Sequence, residues 1–169
     1  LLTRTPDDLQ AYLTAHNIPA EIIHLAAETP TVPAAADALQ VSVDQIVKTV
    51  IFLIDGRPYA VLASGVRRID PRKLAQRFGV SRKKVRLVDS ETVIALTGYA
   101  PGTVPPFDHR QTLTPIMDPA VCAQETVYAG GGGIAAMLRI RSADLLRLTN
   151  AELLRVLEGT QADGSVAQS

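Results

Sequence analysis

The chain carries a single cysteine, Cys122, in 169 residues. One thiol excludes an intrachain disulfide framework and points to a reducing compartment, the cytoplasm. The three histidines, His16, His24 and His109, are scattered. No Cys/His cluster stands at metal-ligand spacing, so neither a metal nor another cofactor is expected. No apolar stretch approaches the ~20 residues that cross a bilayer, and the N-terminus does not read as a signal peptide. Seventeen basic residues balance seventeen acidic ones, which argues against indiscriminate binding to polyanions. Also absent are a Gly-x-Ser-x-Gly elbow, a Walker loop, a His-Glu-x-x-His pair and a Gly-x-Gly-x-x-Gly turn between strand and helix.

What is present fits one globular domain over residues 1–159, with 47% hydrophobic and 20% charged residues in the chain. Residues 160–169 are polar and read as a disordered tail. Thr5-Pro6-Asp7-Asp8 starts a helix that stops near Asn17, and Thr31 caps a second through Leu39. Asp70-Pro71 opens a third that Gly79 closes, and a fourth runs from Ser90 to Thr97, closed by Gly98. Ser142 caps a fifth helix, and a last one is expected over Ala151–Leu157. Strands are expected over Glu21–Leu25, Ile46–Ile54, Tyr59–Ala63, Val85–Val88, Leu113–Met117, Thr126–Ala129 and Ala135–Ile140. Asp55-Gly56 turns the second of these into the third as a hairpin. The irregular alternation predicts an α/β (α+β) fold, a mixed, largely antiparallel sheet or partial barrel flanked by helices.

Lys48 stands out because it interrupts the apolar run Ile46–Ile54, on the face shared with Val50, Phe52 and Ile54. An inward ammonium needs partners or a task; the plain alternative is a strand-end lysine that snorkels to water. A second feature is Gly98-Tyr99-Ala100-Pro101-Gly102-Thr103-Val104-Pro105-Pro106-Phe107, with two glycines and three prolines in ten residues. Such a loop is stiff and loses little entropy on gripping a ligand, or else it is a rigid connector. Gly130 to Gly133 could cradle an anion but read first as a floppy hairpin connection. Asp118 is either a general base or a turn residue before Pro119, His109 reads as exposed, and Cys122 has no activating neighbour.

Nine of the seventeen cations fall between positions 67 and 86: Arg67, Arg68, Arg72, Lys73, Arg77, Arg82, Lys83, Lys84 and Arg86, against the one acid Asp70. That is the electrostatic footprint of a phosphate backbone, or a solvated helix face.

Taken together, Val43-Asp44-Gln45-Ile46-Val47-Lys48-Thr49, the Gly102-x-x-x-Pro106 loop, Asp118 and Tyr128-Ala129-Gly130-Gly131 resemble the YbaK-type superfamily. That superfamily includes the editing domain of bacterial prolyl-tRNA synthetase and separate aminoacyl-tRNA deacylases. The resemblance spans about Glu21 to Leu148. It implies hydrolysis of a mischarged aminoacyl-tRNA, with aminoacyl-tRNA as partner and prolyl-tRNA synthetase as a second. It places Lys48 at the reacting ester. Thr49, Gly98, Tyr99, Gly102, Thr103, Pro106, Asp118, Gly130 and Gly131 become substrate-binding candidates, and water or a substrate group becomes the nucleophile. The chain departs from the branch that removes cysteine, with Leu25 in place of a tyrosine and no acid in Ile134–Leu138. Alanine or another small residue on proline tRNA fits as well as cysteine. A tRNA-binding module without catalysis, or a hydrolase of another small ester, are the alternatives.

Overall fold

The computed structural model describes residues 2–159, so the expected tail at 160–169 lies outside the described residues. Local sequence signals account for most element boundaries. Helix α1 (Pro6–Ala15) begins with a reciprocal capping box between Thr5 and Asp8 and a proline in its first turn. Strand β1 spans Ala20–His24 and helix α2 spans Val32–Leu39, where the Thr31 hydroxyl accepts from the Ala34 amide. Strands β2 (Val47–Ile54) and β3 (Arg57–Ser64) form the expected hairpin. Asp55 and Gly56 both take positive φ, 49° and 79°, as a tight turn between right-twisted strands requires.

Helix α3 (Pro71–Phe78) is capped by Asp70 and closed by Gly79 in the left-handed region. After β4 (Val85–Leu87) and α4 (Ser90–Thr97) comes the proline-rich loop, then β5 (Thr114–Met117) and the short α5 (Pro119–Cys122). Strands β6 (Thr126–Gly130) and β7 (Ala136–Arg141) lead into α6 (Ser142–Thr149) and a two-residue strand β8 (Glu152–Leu153).

Two sheets result. The smaller runs β1-β7-β6 with antiparallel neighbours, and the larger runs β4-β2-β3-β5-β8. In the larger sheet β4, β2 and β3 are antiparallel, while β3-β5 and β5-β8 are parallel. The sheets touch at an isolated bridge between Ile46 and Tyr128 without closing into a barrel. This is the mixed, mainly antiparallel architecture that the sequence predicts.

Period-two alternation on β3 decides which side each residue serves. Val61 and Ala63 pack with Phe52, Ile54 and Leu74 beneath α3. Leu62 faces the other way, with Val47, Met117, Val127, Ala129 and Leu138 between the sheets.

The expected helix over Ala151–Leu157 does not form. Asn150 ends α6 in the left-handed region, and the following chain pairs with β5 in parallel. Backbone demand from distant residues overrides local propensity here. The Leu154 amide donates to the Met117 carbonyl, and the Val156 and Leu157 amides donate to the Asp118 carboxylate at 2.8 and 3.2 Å.

Candidate active site

A cavity of about 260 Å³ opens where the start of β2, the N-terminal end of α2 and the proline-rich loop converge. Its lining brings together Lys48, Thr49, Gly102 and Gly130, four of the residues that the sequence singled out. Volume matters here: ordinary ligand pockets run to roughly 300–1,000 Å³, so this one suits a small group.

Lys48 lies at the mouth of β2, opposite Ala63 on β3. Its ammonium donates to the Gly65 carbonyl at 3.3 Å and the Arg67 carbonyl at 2.5 Å, both on the turn that follows β3. Partial burial, and then the Arg67 charge, hold its pKa below the usual lysine value of 10.5. A lysine ammonium has three N–H donors, so two main-chain acceptors leave one for another molecule. The neighbouring Thr49 hydroxyl is buried and has no hydrogen-bond partner.

The facing wall comes from the proline-rich loop. Gly102 takes φ +82° at the turn of the loop, and Val104 completes the lining. Thr103 points away, with its hydroxyl on the Ala100 carbonyl at 2.8 Å and its own carbonyl accepting from the Gly132 amide at 2.9 Å. The glycine run is therefore not the floppy connection expected from composition. A Cβ on Gly130 would lie 2.2 Å from the Val104 carbonyl oxygen, and one on Gly131 2.6 Å from the Ala136 carbonyl carbon. Glycine is required for this close approach of strand to loop.

Other expected site residues stand elsewhere. Gly98 closes α4, and its carbonyl accepts from the Arg4 amide. Tyr99 is wholly buried, its hydroxyl on Asp108. Pro106 belongs to a separate hollow with Tyr12 and Phe107. Asp118 caps α5 through the Ala120 amide and ties down the segment after β8, so both its oxygens are engaged by backbone amides. His109, expected to be exposed, is half-buried with Nε2 2.8 Å from the Pro105 carbonyl, and burial lowers its pKa. The sequence reading missed Thr29, Pro30, Val32, Ala35 and Met137 as lining. The Thr31 cap was visible, but its placement across from Lys48 is a tertiary fact.

The basic stretch does not form one surface. Arg67 adjoins Lys48 through its carbonyl, and its guanidinium donates to the Glu158 carbonyl. Arg68 is exposed beside it. Arg72 pairs with Asp70, Lys73 donates to the Leu157 carbonyl and Arg77 pairs with Glu152. Arg82, Lys83 and Lys84 lie at the opposite end of β2, where the Lys84 carbonyl accepts from the Asp55 amide. Lys48 and Ile54 are six strand positions apart, which puts that group roughly 20 Å from the cavity.

The candidate site is thus a small cavity walled by a lysine-bearing strand and a glycine-proline loop, and its lining has no Cys, His, Asp or Glu. A family model described as "aminoacyl-tRNA editing domain" matches residues 26–148, and the chain belongs to that family. It is 35% identical over 107 residues to proline–tRNA ligase of Desulfotalea psychrophila, covering 62% of this chain and 18% of that protein. It is 39% identical over 87 residues to the enzyme of Staphylococcus aureus strain Newman, covering 50% of this chain and 15% of that protein. The chain thus spans less than a fifth of the length of these ligases. A crystal structure of a candidate trans-editing enzyme for prolyl tRNA synthetase matches at TM-score 0.84 and 32% identity, over 91% of this chain and 97% of that one. Among the described residues, no helix is long and apolar enough to cross a membrane, and no three His, Cys, Asp or Glu side chains gather as a metal site would need.

Proposed function

We propose that this domain acts in trans as an aminoacyl-tRNA deacylase, hydrolysing the ester between a small amino acid and the 3′ end of a tRNA. Alanine or cysteine on proline tRNA is the first substrate class, prolyl-tRNA synthetase the associated partner and the cytoplasm the compartment. The observation that carries this reading is the convergence of Lys48 and the Gly102–Val104 main chain on one cavity of about 260 Å³. Family membership and the likeness to a trans-editing structure support it.

The lining has no activated nucleophile, so water or the neighbouring ribose hydroxyl attacks the ester carbonyl carbon. The acyl–oxygen bond breaks, the ribose oxygen takes up a proton, and free amino acid and tRNA leave. When the ribose hydroxyl attacks first, water then cleaves the migrated ester by the same steps. An aminoacyl ester is already activated, so positioning and charge stabilisation supply much of the acceleration. The remaining Lys48 N–H holds the terminal nucleotide or the developing oxyanion, and the loop's peptide groups orient the amino acid. A cavity this small excludes larger amino acids by shape, which a synthetase pocket cannot do against smaller ones, where a missing methylene is worth only ~1–3 kcal/mol. In this reading Arg67 and Arg68, next to Lys48, meet the acceptor end. Arg72, Lys73, Arg77, Arg82, Lys83 and Lys84 can reach only more distant phosphates.

Deacylation of Ala-, Cys- and Ser-charged proline tRNA tests this. Lys48→Ala is expected to lower kcat/KM at least about tenfold, or ~1.4 kcal/mol. Salt-sensitive tRNA binding without turnover of any of the three would instead identify a binding module. Turnover that ignores both Lys48→Ala and charge reversal at Arg67 and Arg68 would identify a hydrolase of another ester.

A further inference from the structure

The loop wall of the cavity is held from behind by side chains that do not line the cavity. Tyr99 is wholly buried in a cluster with Leu9 and Val104. Val104 therefore has the cavity on one side and the Tyr99 cluster on the other. The Tyr99 hydroxyl donates to Asp108 Oδ2 at 2.7 Å. From the other side the Arg4 guanidinium donates to Asp108 Oδ1 at 2.9 Å and to the Asp108 carbonyl at 2.7 Å. The Arg4 amide also donates to the Gly98 carbonyl at 2.7 Å, so one residue spans both ends of the loop.

Asp108 sits at φ +60°, a strained conformation for a residue with a side chain, and such residues persist where surroundings over-determine them. Burial, with the Asp108 carboxylate beside it, keeps the Tyr99 phenol protonated far beyond its usual range, so it remains a donor. The Tyr99 ring also meets Gly132, where an added Cβ would be 3.0 Å from Cε1. Gly132 in turn donates to the Thr103 carbonyl. Arg4 lies outside the 26–148 segment that matches the family model, so that match does not specify this arrangement.

We propose that Arg4, Asp108 and Tyr99 are positioning residues forming a brace that fixes the Gly102–Val104 wall and so sets the size of aminoacyl group the cavity admits. The size role rests on the editing reading above; the brace itself does not. At Gly102 the wall has no side chain to trim or enlarge, so the clearance there depends on where the loop is held. Charge-assisted bonds on a partly buried carboxylate, with side-chain exposures of 31% for Arg4 and 12% for Asp108, hold that placement against local motion.

Two variants test it: Tyr99→Phe, which removes one hydroxyl and keeps the ring, and Arg4→Ala. Two quantities are read. The first is the ratio of kcat/KM for alanyl over valyl esters on one tRNA. The second is amide hydrogen exchange over residues 102–106. Both variants are expected to reduce the ratio at least tenfold, through gain on the larger ester, and to speed exchange in that loop. Arg4→Lys restores part of the ratio. Arg139→Ala, which breaks an exposed pair with Glu21 between β7 and β1, leaves both readouts at the parent's value. Should Arg4→Ala fail to fold, Tyr99→Phe carries the test alone. A ratio within twofold of the parent, or unchanged exchange over 102–106, in folded Tyr99→Phe overturns the proposal. A parent that cleaves no ester overturns the editing reading instead, and exchange still decides whether the brace exists.

Discussion

On one side of the cavity β2 contributes Lys48 and Thr49, whose positions are fixed rung by rung through eight pairings with β3. On the other side the loop contributes peptide groups, with no regular element to place them. That wall borrows its position from Gly130 and Gly132 in front and from Tyr99, Asp108 and Arg4 behind. A side-chain wall is broken by removing an atom group. A main-chain wall is broken by adding one, or by loosening what holds it.

Two glycines give the sharpest break of that contrast. Gly130→Ala puts a methyl 2.2 Å from the Val104 carbonyl oxygen, and backbone on both sides must shift. We expect destabilisation of about 3 kcal/mol or more by urea denaturation, with loss of deacylation in whatever folds. Gly102→Ala meets nothing within 4 Å and is opposed only by its φ of +82°. The expected loss there is about 1 kcal/mol. Equal effects at the two sites would mean that the loop does not lean on Gly130.

A smaller effect sharpens the other wall. The Lys48 cation becomes neutral at a lower pH than a free lysine, because burial and the Arg67 charge both disfavour its protonated form. Deacylation, corrected for spontaneous hydrolysis, is therefore expected to fall on the alkaline side below 10.5. Arg67→Ala removes the repulsion, raises the Lys48 pKa and moves that limb to higher pH. Lys48→Arg, which does not titrate in this range, abolishes the limb in any activity it retains. A limb unmoved by both changes would remove Lys48 from the chemistry.

The same division explains what could be read from the sequence. Lys48 was legible because a charge in an apolar, β-branched run violates a local pattern. The hairpin turn at Asp55-Gly56 and the caps at Thr5, Thr31 and Asp70 were legible because their chemistry lies within four residues. The loop was legible as stiff, but its brace was not, since Arg4 and Asp108 are 104 residues apart. Tyr99 carries the loop motif yet faces the interior, and Asp118 has its oxygens taken by amides near 156, so adjacency to a motif misplaced both. The 151–157 segment was misread for a related reason. Its leucines suit a helix, and only partners on β5 and at Asp118 make it extended. The cationic stretch failed differently: nine charges close in sequence are spread along α3 and around both ends of β2, because a strand carries its ends apart faster than any other element.

The smallest effect concerns Thr49, on the side-chain wall. Its Oγ1 is buried with no partner, whereas Thr97, fully buried behind the loop, donates to the Val93 carbonyl at 2.7 Å and accepts from the Tyr99 amide at 3.0 Å. The same isosteric change should therefore have opposite signs. Thr97→Val leaves the buried Tyr99 amide without its acceptor and is expected to destabilise by about 1–3 kcal/mol. Thr49→Val removes a desolvated hydroxyl that returns no hydrogen bond, and is expected to stabilise by up to about 1 kcal/mol. Paired urea titrations decide it. Stabilisation at Thr49 alone would mark that hydroxyl as retained for something other than folding, at a strand position next to Lys48 in the cavity lining. Destabilisation at both would mean that Thr49 already has a structural partner and that the strand wall, like the loop wall, is held from within.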